Sequence, residues 1–266
     1  AYDFAKAAQT AHTLDRLRVG VMGRMQGMGD ILLDELAAFQ KLGVEICHDS
    51  LGCVYQNMQD LEQKEITTEM EADRDRFDVD PSLSEESHST AVAQYLGFRN
   101  YLTANGYGAF TVHFDTVTQD GRFRQLPLYA ASRLMAEGYG YAAEGDVTCA
   151  AMVRAGHVLS GAPAGFTEMY MMDQKTQSII FCHAGEGNYA GAAKNKKPRL
   201  IDRYLGEGGL ENPPTILFMP KPGRATLVSL VSVSGQKFRL VGARGEILER
   251  DDMRRCEMPY FFFRPD

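Results

Sequence analysis

The sequence predicts an α/β protein, with a parallel-sheet domain over residues 1–162 followed by a mainly antiparallel β domain over residues 163–266. Up to about Gly161, short apolar stretches alternate with longer segments whose apolar residues recur at helical spacing. This alternation is typical of parallel strands joined by crossover helices. Beyond that point the apolar stretches are short, rich in β-branched residues and separated by Gly and Pro. Such segments indicate an antiparallel sheet.

The first strand–helix–strand unit is predicted near the N-terminus. Leu17–Gly23 has the pattern of a buried strand that ends in a glycine-rich turn, and Gly29–Gly43 has apolar residues at helical spacing. VEIC, from Val44, predicts the second strand. The turn GRMQGMG lacks the GxGxxG spacing and the P-loop lysine, so the sequence does not favour a nucleotide-dependent enzyme.

The middle of the chain continues this alternation of predicted strands and helices. The strongly charged stretch Asp60–Asp80 predicts an exposed helix and loop, and Ser84–Asn105 predicts a long helix with Ser84 as its N-cap. The remaining segments of the first domain are a strand at Tyr107–Phe114, a helix at Leu126–Gly138, the strand and turn YGYAAEGD, and the helix VTCAAMVRAGHVLSG. The strands predicted after them are SIIFCH, PTILFMP, ATLVSLVSVSG and KFRLVGARGEIL.

Composition excludes several classes of function. The net charge of −7 and the lack of a long basic run argue against a nucleic-acid partner. No apolar stretch approaches the ~20 residues that span a bilayer. The five cysteines are an odd number without CxxC spacing, so reduced thiols and a cytoplasmic location are expected. The chain has no initiator Met and ends in MPYFFFRPD, so a fragment is expected.

Three polar side chains lie at the ends of predicted strands or in the turns beside them. Glu144 follows the strand YGYA, Glu168 opens the β region, and His183 ends SIIFCH. Ligands collect at the carboxyl ends of strands in α/β folds. Two carboxylates and one imidazole suit Mn²⁺, Co²⁺ or Mg²⁺ better than a thiolate-preferring metal. The alternative is that the glutamates are surface acids and the histidine only ends a strand.

Five segments of the sequence resemble, in order, segments of the L-arabinose isomerase family. They are FTVHFDT…QLPLYAASRLM, MAEGYGYAAEGDVTCAAMVR, GFTEMYMM, FCHAGEGN and NPPTILFMPKPGRATLVSLVSVSGQKFRLV. Because they are collinear over most of Val19–Pro265, the five segments together indicate this family far more specifically than any one of them would. The family's C-terminal GG.HH histidine motif and its N-terminal α/β domain have no counterpart here. The resemblance therefore covers the central domain and the first part of the C-terminal domain.

The resemblance implies an aldose–ketose isomerase that acts on a pentose or deoxyhexose, such as L-arabinose, through an enediol. It implies that Glu144, Glu168 and His183 hold Mn²⁺ or another divalent cation, and that both glutamates also transfer protons. Phe114 and Met25 would line the sugar pocket. A homo-oligomer in which a neighbouring subunit helps to close the pocket is implied as well.

Departures from the family pattern keep a second hypothesis open. Val147 stands where the family has Trp, and Met169 where it has Asp. These changes leave the proposed ligands intact but affect the expected sugar specificity. The alternative is a non-catalytic sugar-binding or regulatory protein on the same scaffold. Retention of two glutamates and a histidine favours the enzyme, because a binding protein does not need a metal triad.

Overall fold

A computed structural model describes residues 1–205, 208–234, 236–249 and 257–266 of the chain. The helices in these ranges are α1 (Tyr2–Leu14), α2 (Glu35–Leu42), α3 (Leu51–Gln59), α4 (Gln63–Arg76), α5 (Glu85–Ala104), α6 (Phe114–Asp120), α7 (Leu128–Ala136) and α8 (Val147–Ser160). The strands are β1 (Arg18–Met22), β2 (Glu45–His48), β3 (Asp78–Val79), β4 (Ala109–Val112), β5 (Gly140–Ala143), β6 (Glu168–Asp173), β7 (Ser178–Cys182), β8 (Arg199–Asp202), β9 (Pro214–Leu217), β10 (Gly223–Ser234), β11 (Lys237–Ile247) and β12 (Tyr260–Pro265). Within the described ranges, no helix is long and apolar enough to span a membrane.

The first half of the chain builds a parallel sheet with the strand order β2-β1-β4-β5. Val19 and Ala142 are buried on one face of this sheet with Ala150 of α8. Phe110 and Tyr141 are buried on the other face, in the larger core that α3, α5 and α7 cover. Because parallel strands run in one direction, the turns after β1, β4 and β5 all lie at the same edge.

The second half builds a five-stranded sheet with the order β10-β11-β12-β7-β6, and its described pairings are all antiparallel. Its centre is aromatic, with the rings of Phe181 and Phe261 stacked 5.6 Å apart. The predicted fold class, a parallel-sheet α/β region followed by a mainly antiparallel β region, is confirmed.

A third, three-stranded sheet connects the two halves. The short strand β3 pairs in parallel with β8, and β8 pairs antiparallel with β9. Leu200 of β8 and Ile216 of β9 are fully buried and share the larger core with Phe110 of the parallel sheet. Strand pairing and core packing therefore both cross the sequence position at 162.

The helix predicted over residues 29–43 is shorter than expected. Residues Gly29–Ile31 form a single 3₁₀ turn, and α2 begins only at Glu35. Asp34 is its N-cap, with a side-chain oxygen that accepts the backbone N–H of Ala37 at 2.9 Å. The prediction of one continuous helix was wrong because the capping preference of Asp34 outweighs the apolar spacing upstream of it.

The charged stretch Asp60–Asp80 forms the predicted helix, α4, but one of its acidic residues is buried. Asp73 is completely buried, where it accepts hydrogen bonds from Arg133 at 3.0 Å and from His88 at 2.9 Å. A buried carboxylate persists only when it is paired in this way. Of the cysteines, Cys256 lies outside the described residues, and the others form no disulfide.

Candidate active site

Glu144 occupies a strained turn directly after β5. Its φ angle is +65°, in the left-handed region that few residues other than glycine adopt. Its N–H donates to the Val112 carbonyl at 2.8 Å, and its carbonyl accepts from the Met25 N–H at 2.7 Å. The N–H of Gly145 donates to Thr111 Oγ1 at 2.8 Å. Such a conformation costs about 1–3 kcal/mol and persists only where its surroundings fix it, as these three bonds do here.

The turn after β1 packs closely against this strained turn. Arg24 donates from Nε to the Gly145 carbonyl at 3.3 Å and forms an ion pair with Glu35 at 3.1 Å. The φ angle of Gly145 is +94°, and a Cβ atom there would lie 2.5 Å from the Arg24 Cα atom. Glycine is therefore required at this position, both for its backbone angle and for the close approach of the two turns.

The two residues predicted to line a sugar pocket lie at the same sheet edge as Glu144. Met25 is half-buried in the turn after β1, beside the Glu144 backbone. Phe114 is half-buried at the start of α6, just after β4, and its ring centroid lies 4.8 Å from that of His113. His113 is buried, and burial lowers the pKa of its imidazole. No sequence prediction singled out His113.

The other two predicted site residues lie on the antiparallel sheet. Glu168 is the first residue of β6 and pairs in register with Cys182, the last residue of β7. His183 follows Cys182 immediately, so the pairing of these two strands places Glu168 beside it. The side chain of Glu168 is exposed, whereas that of His183 is 10% exposed.

Two buried side chains hold the His183 imidazole. His183 donates from Nδ1 to Glu186 Oε1 at 2.8 Å, and the Tyr141 hydroxyl donates to the same oxygen at 2.9 Å. The Phe166 ring lies edge-on to the imidazole, with 4.9 Å between the ring centroids. The side chain of Glu186 is 1% exposed. These contacts fix the orientation of the imidazole ring. They also determine that Nδ1 is the nitrogen that is hydrogen-bonded to the protein.

The negative charges of both predicted glutamates act on the His183 imidazole. Burial alone would lower the pKa of the imidazole, but the carboxylates of Glu186, Glu168 and Glu144 act together in the opposite direction and outweigh it. Together they raise the pKa of His183 to about 9. Burial raises the pKa of the Tyr141 hydroxyl well above its usual value, and nearby Glu186 and Glu144 raise it further.

The pKa of Glu186 is lowered, although burial alone would raise it. Burial works to raise the pKa of this carboxyl, but the His183 imidazole and the Tyr141 hydroxyl outweigh burial and lower it. Within the described residues, Glu186 Oε2 is buried and has no hydrogen-bond partner. A buried carboxylate with one oxygen unpaired makes this region strongly favourable for positive charge.

The donor atoms fit a divalent cation in kind. Two carboxylates and an imidazole whose second nitrogen is held by a carboxylate form a common ligand set, and the surrounding charge is negative. In the part of the chain that the structure describes, no three His, Cys, Asp or Glu side chains approach closely enough to hold one ion.

The two positions where the sequence departs from the family pattern lie in different surroundings. Val147, at the start of α8, is buried in the smaller core of the parallel sheet. Met169, on the edge strand β6, is 61% exposed.

The sequence also did not predict the contact of Tyr141 with the site. The only available signal was the HxxE spacing of His183 and Glu186.

The molecule is thus an α/β protein with an acidic site formed between the edge of a parallel sheet and an antiparallel sheet. Residues 25–162 match the model of the L-arabinose isomerase central domain, and residues 163–266 match that of the L-arabinose isomerase C-terminal domain. The chain belongs to the L-arabinose isomerase family.

Curated relatives agree with this assignment. The chain is 32% identical over 236 residues to the L-arabinose isomerase of Clostridium beijerinckii, an alignment that covers 87% of this chain and 47% of that protein. It is 31% identical over 255 residues to the L-arabinose isomerase of Mycolicibacterium smegmatis, covering 92% of this chain and 50% of the relative. The chain spans about half the length of the curated relatives it matches.

Proposed function

We propose that this chain carries part of the active site of a metal-dependent aldose–ketose isomerase that acts on L-arabinose or a related pentose or deoxyhexose. One observation carries the proposal: the strand register places Glu168 beside His183, and the imidazole is also acted on by the charge of Glu144, from the turn after β5. The family and the activity of the curated relatives support the choice of substrate.

Glu144, Glu168 and His183 would hold the cation, with Mn²⁺ proposed and Co²⁺ or Mg²⁺ as alternatives. A bound divalent cation supplies Lewis-acid polarisation of the sugar oxygens. The protein contributes the placement of its donors. Glu144 is fixed through its backbone, and His183 through Glu186. Pre-positioned donors lose little freedom when the site fills, which favours binding.

The two glutamates would carry the proton transfers. Conversion of an aldose to a ketose removes the proton from C2 and delivers one to C1, while a proton also moves from O2 to O1. One carboxylate would serve the two carbons and the other the two oxygens, as general acid–base catalysts. Met25 and Phe114 would line the pocket around the sugar. We further propose a cytoplasmic homo-oligomer whose subunits share active sites.

The test compares Glu144→Gln and Glu168→Gln with Glu211→Gln in the full-length protein. Glutamine keeps the shape but removes the proton acceptor and the charge, so each site variant should lose at least about a hundredfold in ketose formation with Mn²⁺. Glu211 pairs with Arg124 at the surface, so its variant should retain activity. Metal-free melting temperatures should change little in all three.

The outcomes separate the proposed enzyme from the alternative. Retained turnover in either site variant would remove that glutamate from the mechanism. A wild-type protein that binds L-arabinose but forms no ketose with any of the three cations would indicate the non-catalytic sugar-binding protein instead.

A further inference from the structure

The hydrogen-bond chain Tyr141–Glu186–His183 has no part in the proton transfers proposed above. Its two bonds, at 2.9 and 2.8 Å, end on the same oxygen, Glu186 Oε1. The members come from three places in the fold: Tyr141 from β5, His183 from the end of β7, and Glu186 from the loop that follows. The chain thus connects the parallel sheet to the segment that presents the histidine.

Burying the charged carboxylate of Glu186 costs free energy, which its hydrogen bond to the His183 imidazole has to offset. Its side chain is 1% exposed, and the other oxygen, Oε2, has no partner within the described residues. A glutamine or a leucine of similar size would avoid the cost of burying a charge. What a carboxylate offers here is a strong acceptor for the N–H of an imidazole.

The bond also determines which histidine nitrogen remains for a ligand. Because Nδ1 donates to Glu186, the opposite nitrogen, Nε2, is left as the ligating atom. Phe166 packs against the ring and prevents it from turning about the Nδ1 bond. Carboxylates that hold a metal-binding histidine in this way fix its tautomer and orientation and increase its basicity.

We propose that Glu186 is a positioning residue, which holds His183 so that Nε2 faces the carboxylates of Glu144 and Glu168, and that Tyr141 holds Glu186 in turn. This inference rests on the proposed metal site. Glu186 itself acts through His183 and touches neither the cation nor the sugar. Its contribution is to the affinity for the cation, so excess cation compensates for its loss.

The experiment measures Mn²⁺ binding by titration calorimetry in the full-length protein, without sugar. Glu186→Gln should weaken Mn²⁺ binding by about 10–100-fold, since loss of such a partner typically has that effect. Tyr141→Phe should weaken it less, because the Glu186 bond to the histidine survives. The matched controls are Glu137→Gln and Tyr95→Phe, because Tyr95 donates to Glu137 in a partly buried pair of the same residue types elsewhere.

A second measurement separates positioning from a general loss of structure. If Glu186 acts on affinity, turnover of Glu186→Gln should return to near the wild-type value when Mn²⁺ is raised by the same factor as the loss of binding. Far-UV circular dichroism checks that all variants are folded, and Tyr141→Phe serves as the milder variant should Glu186→Gln be unfolded.

The results distinguish this inference from the proposed function. A wild-type protein that binds no Mn²⁺ would overturn the metal site, and this inference with it. Mn²⁺ binding that is normal in the wild type and equally tight in Glu186→Gln would overturn the positioning role alone. Equal weakening in Glu186→Gln and in the control Glu137→Gln would also overturn it.

Discussion

Raising the pH should lower the unfolding free energy of the metal-free protein, because His183 loses its proton and with it the ion pair to Glu186. In the folded protein the pKa of His183 is raised from 6.5 to about 9. A raised pKa means that the stabilisation is fully present below about pH 6.5 and is lost as the pH passes through about 9. The difference of about 2.5 units corresponds to about 3 kcal/mol of unfolding free energy. Solvent screens the pair little, because the histidine side chain is only 10% exposed.

The assay is chemical unfolding in excess chelator at several values between about pH 6 and about pH 10, for the wild type and for His183→Gln. Cysteines, tyrosines and lysines titrate alike in both proteins, so the difference between the two curves isolates the pair. The wild-type advantage in unfolding free energy should shrink by about 3 kcal/mol across this range. Parallel curves, with a constant difference at every pH, would refute the reasoning.

Three further predictions follow from the same geometry. Gly145→Ala should cost more unfolding free energy than Gly121→Ala: both have positive φ, worth about 1–2 kcal/mol, but only a Cβ at Gly145 meets backbone, at 2.5 Å. As the pH is raised towards about 9, the affinity for Mn²⁺ should increase by up to about tenfold per pH unit, because the cation must displace a proton from His183. Calorimetry in buffers of different ionisation enthalpy would detect the released proton. Arg133→Met should destabilise the protein by about 3–5 kcal/mol in urea unfolding, because it removes the shorter and more buried of the two arginine pairs of Asp73.

Elements defined by local signals could be predicted from the sequence. The helix α5 begins after Ser84 as expected, and the Ser84 hydroxyl accepts the backbone N–H of Ser87 at 3.1 Å. The strand β5 and the turn that presents Glu144 follow from apolar spacing and the adjacent Gly145. These features depend on neighbours within a few residues, which the sequence displays directly.

Features that depend on distant partners could not be predicted. The burial of Asp73 requires Arg133, which lies 60 positions later, and Tyr141 contacts Glu186 across 45 positions. An acidic residue in a charged helix is usually solvated, so burial of Asp73 follows only from the packing of α4 against its neighbours. For the site itself, the sequence supplied the residue types, but the pairing of Glu168 with Cys182 required the strand register.

The pairing of β3 with β8 has a consequence for how the site can move. The chain leaves the α/β unit after α8, contributes Glu168 and His183, and returns to that unit at β8. A segment held at both ends behaves as a closed loop, unlike a flap that swings about one hinge. The distance between Glu144 and the two residues of the loop is therefore constrained from both ends. Cutting the chain at residue 162 would separate the donors and also remove the strand partner of β3.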